Sequence, residues 1–302
     1  MLKVRIGFGL GTQTVSVGDG SFGALVDALE TGGWDSLWLS DQLGGPAPDP
    51  IPALAYAAGR TERLKLGTSV VVVPGRNPVV LAKQMATVDR LSCGRYLPVV
   101  GLGAVRPVEQ AAFGVAREDR AAWFDEALAL IRRLWSEDDV THTGERFAVN
   151  GLTLGPKPVQ EPLEVWLGGR ARSELRRCGR LGDGWLPSFC TPAQVAEGWE
   201  LVTATAAEHG RSIDPQHLGA LVAYAHVPLD DTVRAALAAR LPGVDPAEVI
   251  PVGLDALAAR LEEFVAVGAS KFVVVPLGEP VDGAGWQAEL DRLADALFDL
   301  QT

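Results

Sequence analysis

Residues 63–103, RLKLGTSVVVVPGRNPVVLAKQMATVDRLSCGRYLPVVGLG, make up one complete strand-loop-helix-strand unit, and no other stretch constrains the fold as tightly. Leu64, Leu66 and the run from Val70 to Val73 are too uniformly apolar for a half-wet strand. They predict a strand buried on both faces, as in a parallel sheet covered by helices. Pro74-Gly75-Arg76-Asn77-Pro78 ends that strand abruptly. Asn77 suits a helix cap and Pro78 a first helical turn, and Val80, Leu81, Met85, Val88 and Leu91 then recur at helical spacing until Gly94. A second buried strand follows over 96–100. It hands over to Gly101-Leu102-Gly103, where a βα loop must bring its backbone close to something.

The same rhythm runs through the chain. Strands are predicted over 4–8, 37–39, 163–167, 184–186, 217–227 and 271–275, beside the two of the opening unit. Helices are predicted around Phe22 to Leu29 and over 51–60, 113–135, 173–181, 192–209, 254–267 and 286–300. Two excursions interrupt the alternation. Residues 141–162 are rich in turn formers and read as a short hairpin, and 230–250 carry a helical turn of their own. Eight strand-helix pairs with crossovers long enough to be right-handed predict an α/β fold: a (β/α)8 TIM barrel, residues 1–302 as a single domain, with insertions after helix 4 and strand 7.

Composition restricts the function. A formal net charge of -11 argues against general nucleic-acid or anionic-membrane binding. Cys93, Cys178 and Cys190 have no CxxC spacing, and neither a signal peptide nor an apolar stretch of membrane length is visible, so a cytoplasmic location is expected. Metal-dependent hydrolysis is disfavoured and no metal site is expected, because His142, His209, His217 and His226 include no His-x-His after the first strand.

Active sites of such barrels lie where strands hand over to the following loops. That rule selects Gly9-Leu10-Gly11-Thr12, Ser40-Asp41-Gln42, Thr68-Ser69, Gly75-Arg76, Gly101-Leu102-Gly103, Gly168-Gly169-Arg170, Pro187-Ser188, Tyr224, His226 and Pro276. The glycines among them suggest a flat or phosphorylated ligand lying against backbone. Amides of Gly169, Arg170 and Ala171 at a helix N-terminus would bind a phosphate, aided by Arg170 or Arg172, with Arg176, Arg177 and Arg180 extending a basic face. The alternative reading of the same residues is a tight turn and a solvated helix face.

Gly33-Trp34-Asp35-Ser36-Leu37-Trp38-Leu39-Ser40-Asp41, Leu66-Gly67-Thr68-Ser69-Val70, Arg76-Asn77-Pro78, Ala82-Lys83-Gln84 with Asp89-Arg90-Leu91-Ser92, and Leu181-Gly182-Asp183-Gly184-Trp185 together resemble the bacterial-luciferase-like family. The excursion Gly151-Leu152-Thr153-Leu154-Gly155-Pro156-Lys157-Pro158 fits as well, so the similarity covers nearly the whole chain. Members are flavin-dependent monooxygenases and oxidoreductases dependent on the deazaflavin coenzyme F420. The resemblance implies a non-proline cis peptide in a bulge behind the isoalloxazine or deazaflavin ring, and Ser69-Val70 matches its place. It also places Gly168, Gly169 and Arg170 at the phosphate of the ribityl chain, and Gly9, Thr12, Asp41, Ser69, Val70, Gly101 and Gly103 around the ring.

The chain departs from the family pattern at two positions. Many members carry Ser-Asp-His after the second strand, where Gln42 stands here, and a glutamine does not titrate near neutral pH. Deazaflavin-dependent sugar-phosphate dehydrogenases place a glutamate just past the Gly-x-Gly turn, where this chain has Ala104 and then Val105-Arg106. A reaction that needs both groups is therefore not expected. The catalytic candidates left are Asp41, Gln42 and His226, although a lone histidine at a strand end also reads as a structural residue. Since the cofactor supplies the redox chemistry, hydride transfer needs no titrating side chain. The expected function is F420-dependent hydride transfer to or from a small-molecule substrate, with Arg170, Arg172, Arg176 and Arg106 available to the coenzyme's acidic tail. The alternatives are an FMN-dependent monooxygenase and a barrel that binds flavin without turnover. A homodimer through residues 81–91 is a further expectation.

Overall fold

The computed structural model describes residues 2–12, 20–103, 106–241, 243–278 and 283–302. In chain order its elements begin with β1 (Arg5–Leu10), α1 (Ser21–Thr31), β2 (Ser36–Leu39), α2 (Pro50–Ala58), β3 (Lys65–Thr68), β4 (Val71–Val72) and α3 (Pro78–Leu91). Next come β5 (Tyr96–Leu97), β6 (Val99–Gly101), α4 (Pro107–Phe113), α5 (Arg120–Ser136), β7 (Val140–Thr143) and β8 (Ala148–Leu152). They are followed by β9 (Trp166–Leu167), α6 (Arg172–Leu181), β10 (Gly184–Trp185), α7 (Pro192–Glu208) and β11 (Gly219–Tyr224). The chain closes with α8 (Asp231–Arg240), α9 (Pro246–Val249), α10 (Leu254–Ala266), β12 (Lys271–Pro276) and α11 (Gly283–Leu297).

Two parallel sheets share their strands' direction, one ordered β11-β12-β1-β2-β3-β5 and the other β10-β9-β6-β4. β3 and β4 are successive halves of one stave and β5 and β6 of the next, so the sheets are continuous there. Parallel bridges Trp185↔Leu218 and Ser188↔Leu221 join the remaining edges and close an eight-staved (β/α)8 barrel. The antiparallel hairpin β7-β8 lies between α5 and β9, and α8 and α9 lie between β11 and α10.

The opening unit forms for the reasons its sequence gave to expect. Asn77 caps α3 by accepting the N–H groups of Val79 and Val80, with Pro78 in the first turn. Leu81, Met85 and Val88 are buried, so most of the apolar face offered above for a homodimer belongs to the chain's own core. Val80 and Leu91 remain exposed. The helix expected over 113–135 starts only at Arg120, as α5, and a separate helix not expected from the sequence, α4, precedes it and is capped by Gly114. The strand expected over 217–227 is shorter, because residues 215–217 form a 3-10 turn.

Inside the barrel Trp38, Val99, Leu186, Val273 and Val275 pack with Val70, Leu97, Trp166 and Leu221. Trp34 and Trp185 belong to the larger core between staves and helices. The N-terminal end of the barrel is closed by charge. Lys271, 3% exposed, pairs with Asp35, which Lys65 also meets at 3.1 Å. Burial alone pushes the Asp35 carboxyl up, but Lys271 and Lys65 overcome it and hold its pKa at about 2. These groups sit away from the loops that follow the strands, leaving the opposite end for a ligand.

Candidate functional site

The third stave breaks between β3 and β4, and the Ser69-Val70 peptide bond at the break is cis. Neighbouring groups fix this turn in place. Ser40 Oγ donates to the Ser69 carbonyl at 3.0 Å, the Ser69 amide donates to the Leu39 carbonyl at 2.8 Å, and the Asp41 amide donates to the Val70 carbonyl at 3.1 Å. The Asp41 carboxylate, 2% exposed, accepts the Val72 amide at 2.9 Å and the Arg76 guanidinium at 2.8 Å. Arg76 Nε closes the loop by donating to the Val72 carbonyl at 3.0 Å. Burial raises the Asp41 pKa, and the guanidinium of Arg76 opposes that rise without cancelling it. Asp41 therefore stands behind the bulge as its clamp.

Val70 gathers the other strand ends. A Cβ on Gly168 would lie 2.6 Å from Val70 Cγ1, and one on Gly101 would lie 2.9 Å from Val70 Cγ2, so only hydrogen fits at either position. Gly9 lies against Val273 and Val275 in the same way. Val70, Gly101 and Gly168 thus meet at the C-terminal end of the barrel, with Ser69 next to Val70 on its own stave and Ser40 and Gly9 on the two staves before it. The floor so formed is backbone and aliphatic side chain. A Cβ on Gly103 would meet Val72 and the Arg120 guanidinium in place of Val70.

The remaining candidates are held elsewhere. Gln42 donates to the Gly44 carbonyl within its own loop. Glu109, which the sequence reading did not single out, reaches across from α4 to accept the amides of Leu43 at 3.2 Å and Gly44 at 2.8 Å. Ala104 and Val105 lie outside the described residues. His226 Nε2 pairs with Glu289 of α11 at 2.8 Å, and Glu289 also accepts the Tyr224 hydroxyl and the Arg292 guanidinium. Burial would raise the Glu289 pKa, yet these three donors hold it below the usual carboxylate value. His226 is thus engaged between a strand end and the outer helix, in keeping with the structural alternative.

At the expected phosphate turn the amides of Arg170 and Ala171 are already taken. Both donate to Glu174 Oε2, at 3.0 and 2.9 Å. A glutamate on the third residue of a helix commonly reaches back in this way, which is the signal the sequence reading passed over. The basic face also shrinks, because Arg177 and Arg180 are clamped by Asp125 of α5 at 2.6 and 3.0 Å. A cavity of about 220 Å³ beside the turn is lined by Arg170, Arg172, Trp185, Cys190 and Gln194 among others. Burial pushes the Cys190 thiol up to about 11 against the pull of Arg170.

A barrel with this mouth defines a ligand-binding α/β class, and comparison with known proteins makes it specific. Residues 7–298 match the luciferase-like monooxygenase family, and the chain belongs to it. An F420-dependent glucose-6-phosphate dehydrogenase of Beutenbergia cavernae is 36% identical over 186 residues, 58% of this chain and 53% of that protein. The chain spans about half the length of the curated relatives it matches first. An F420-dependent secondary alcohol dehydrogenase in complex with an F420-acetone adduct superimposes with a TM-score of 0.82 at 20% identity, covering 100% of both chains. A monooxygenase of Streptomyces bottropensis superimposes with a TM-score of 0.81 at 22% identity, over 98% of this chain and 99% of that one.

The mouth fits a flavin or deazaflavin in one part and resists it in another. The glycine-walled floor over Val70 suits a flat ring that approaches backbone closely. The α6 amides, by contrast, are satisfied by a carboxylate of the chain itself.

Proposed function

We propose that the chain is an oxidoreductase that binds the deazaflavin coenzyme F420 at the barrel mouth and moves hydride between it and a small organic substrate. The observation that carries this reading is the floor where Val70, on the clamped turn, meets Gly101 and Gly168. The coenzyme supplies hydride chemistry; the residues supply a flat support, a fixed orientation and exclusion of water. Val70 would back the ring, Gly9, Gly101 and Gly168 would let it lie against the staves, and Asp41 with Arg76 would keep the turn in register. F420 is favoured by the curated relatives' dependence on it and by Arg170 and Arg172 beside the turn, which suit an acidic tail. The second reading, an FMN-dependent monooxygenase, is favoured by the fold shared with a monooxygenase.

The substrate differs from that of the curated relatives. Gln42 and Ala104 replace the histidine and the glutamate on which sugar-phosphate oxidation in this family relies. Leu43, Val227 and Leu277 are exposed on loops that follow the staves, and Val108 is exposed on α4, which suits an apolar substrate. No helix among the described residues is long and apolar enough to cross a membrane. The three cysteines are free thiols, which suits the reducing cytoplasm. A homodimer would use the exposed Tyr56, Val80 and Leu91 of α2 and α3, and sedimentation of the purified chain tests it.

Titration of the purified chain with oxidised F420 and with FMN, followed by ring absorbance, tests the central reading. F420 should bind more tightly than FMN. Failure of both to bind below about 1 mM would sink the proposal.

A further inference from the structure

The turn from β9 into α6 is closed from within. Glu174 Oε2 accepts the two amides that lead into the helix, Arg170 at 3.0 Å and Ala171 at 2.9 Å. The backbone is shaped around this carboxylate. Gly169 has φ 103°, and a Cβ there would stand 2.8 Å from both Cδ and Oε2 of Glu174, so the glycine leaves the space the acid fills. Ala171, at the position where a serine or threonine would normally cap the helix, has no side-chain oxygen to offer. Glu174 is thus the side chain seen to satisfy these amides.

A carboxylate oxygen held by two amides at a helix N-terminus has the charge and the donors that a phosphate oxygen would use there. The two anions exclude each other. A phosphate that uses these two amides must displace Glu174, giving up two hydrogen bonds already made, and one that leaves them in place lies beside Arg170 and Arg172 with a like charge next to it. We infer that Glu174 is a built-in substitute for the cofactor's phosphate, so that this chain selects its cofactor by the ring and gains little affinity from the phosphate. The inference rests on the ring site proposed above, and it makes Glu174 a specificity-determining residue.

Two ligand pairs that differ only in the phosphate test it: FMN against riboflavin, and the deazaflavin 5′-phosphate against the deazaflavin alcohol. Dissociation constants are measured by ring fluorescence on the native chain, Glu174→Gln and Glu174→Ala. In the native chain the phosphorylated and phosphate-free forms of whichever ring binds should agree within about threefold, with a preference of tenfold or more for the phosphorylated form appearing in Glu174→Ala. Glu174→Gln keeps an acceptor for the amides without the charge, so it retains the cap if Glu174→Ala does not fold and should show an intermediate preference. A native preference above tenfold that neither variant increases would overturn the inference and leave the ring site standing. Binding of none of the four compounds would take down the ring site and this inference together.

Discussion

Asp41→Ala should loosen the turn at Ser69-Val70, and its cost follows from the partners left behind. The substitution strands the Val72 amide and removes one anchor of Arg76, both held within 2.9 Å by a carboxylate that is 2% exposed. An orphaned buried amide costs about 1–3 kcal/mol, and a hydrogen bond to a charged group contributes about 1.5–3 kcal/mol. Two features reduce the sum. Arg76 is 20% exposed and has Asp49 at 3.7 Å to turn to, and the burial that raises the Asp41 pKa is relieved. A net loss of about 2–3 kcal/mol remains, or roughly 3–5 °C in Tm for a domain of this size. Asp41→Asn keeps an acceptor for Val72 and should lose only about 1 kcal/mol. The sign with pH is also fixed. A carboxyl whose folded pKa is raised adds stability at low pH that is lost as pH rises through that value, so the gap to Asp41→Ala should narrow in that direction. Urea unfolding followed by circular dichroism gives the energies, and an Asp41/Arg76 double-mutant cycle isolates the pair, with a coupling of about 1–2 kcal/mol expected. Coupling near zero, with both single variants within 0.5 kcal/mol of native, which is about the range of ordinary surface substitutions, would refute the clamp.

Gly168→Ala drives a methyl toward Val70 Cγ1 and should cost about 1–3 kcal/mol while weakening ring binding, and adding Val70→Ala should restore stability; strictly additive losses in unfolding midpoints would argue against contact. Asp35 has a folded pKa of about 2, depressed from 3.8, so it adds about 2 kcal/mol above the unfolded value that is lost as pH falls from about 4 to about 2. The unfolding midpoint of Asp35→Asn should therefore fall less steeply over that window, and parallel curves would contradict the ion-pair account. His226→Ala should leave F420 affinity within about twofold, because the imidazole is engaged with Glu289; a tenfold loss in titration would return it to the site.

The barrel was legible because parallel staves are buried on both faces and announce themselves as apolar runs bounded by prolines and glycines. The buried run Val71 to Val73 and the Asn77-Pro78 helix start illustrate this, whereas Val70, which the same apolar run had placed in the strand, is partly buried at the break. The separate helix α4 over 107–113 was not legible, since its alanines and phenylalanine run into the helical pattern that α5 carries beyond Gly114. The glycines that meet at Val70 could be picked out by their place at strand ends, whereas their convergence on one side chain depends on barrel closure. His226 shows the limit most plainly. Its partner Glu289 lies 63 positions away on the last helix, and nothing local to either residue signals the pair.

The placement of charge gives the site its character. Asp35, Lys65 and Lys271 pair at the far end of the barrel, Asp41 and Arg76 pair behind the turn, and Glu289 collects Tyr224, His226 and Arg292 between the last strands and α11. Each set is bonded within itself, and none contributes to the floor made by Val70 and its glycines. A neutral, aliphatic floor adds no fixed charge beneath a bound ring, so the ring's redox properties there would be set by its edges and by whatever substrate lies above it. Substitutions within the floor should therefore act through affinity and orientation, and those at the three charged sets through stability. Glu174 is the exception, a carboxylate at the rim of the mouth, and its effect should fall on which cofactor is held and hardly at all on what the ring does once bound.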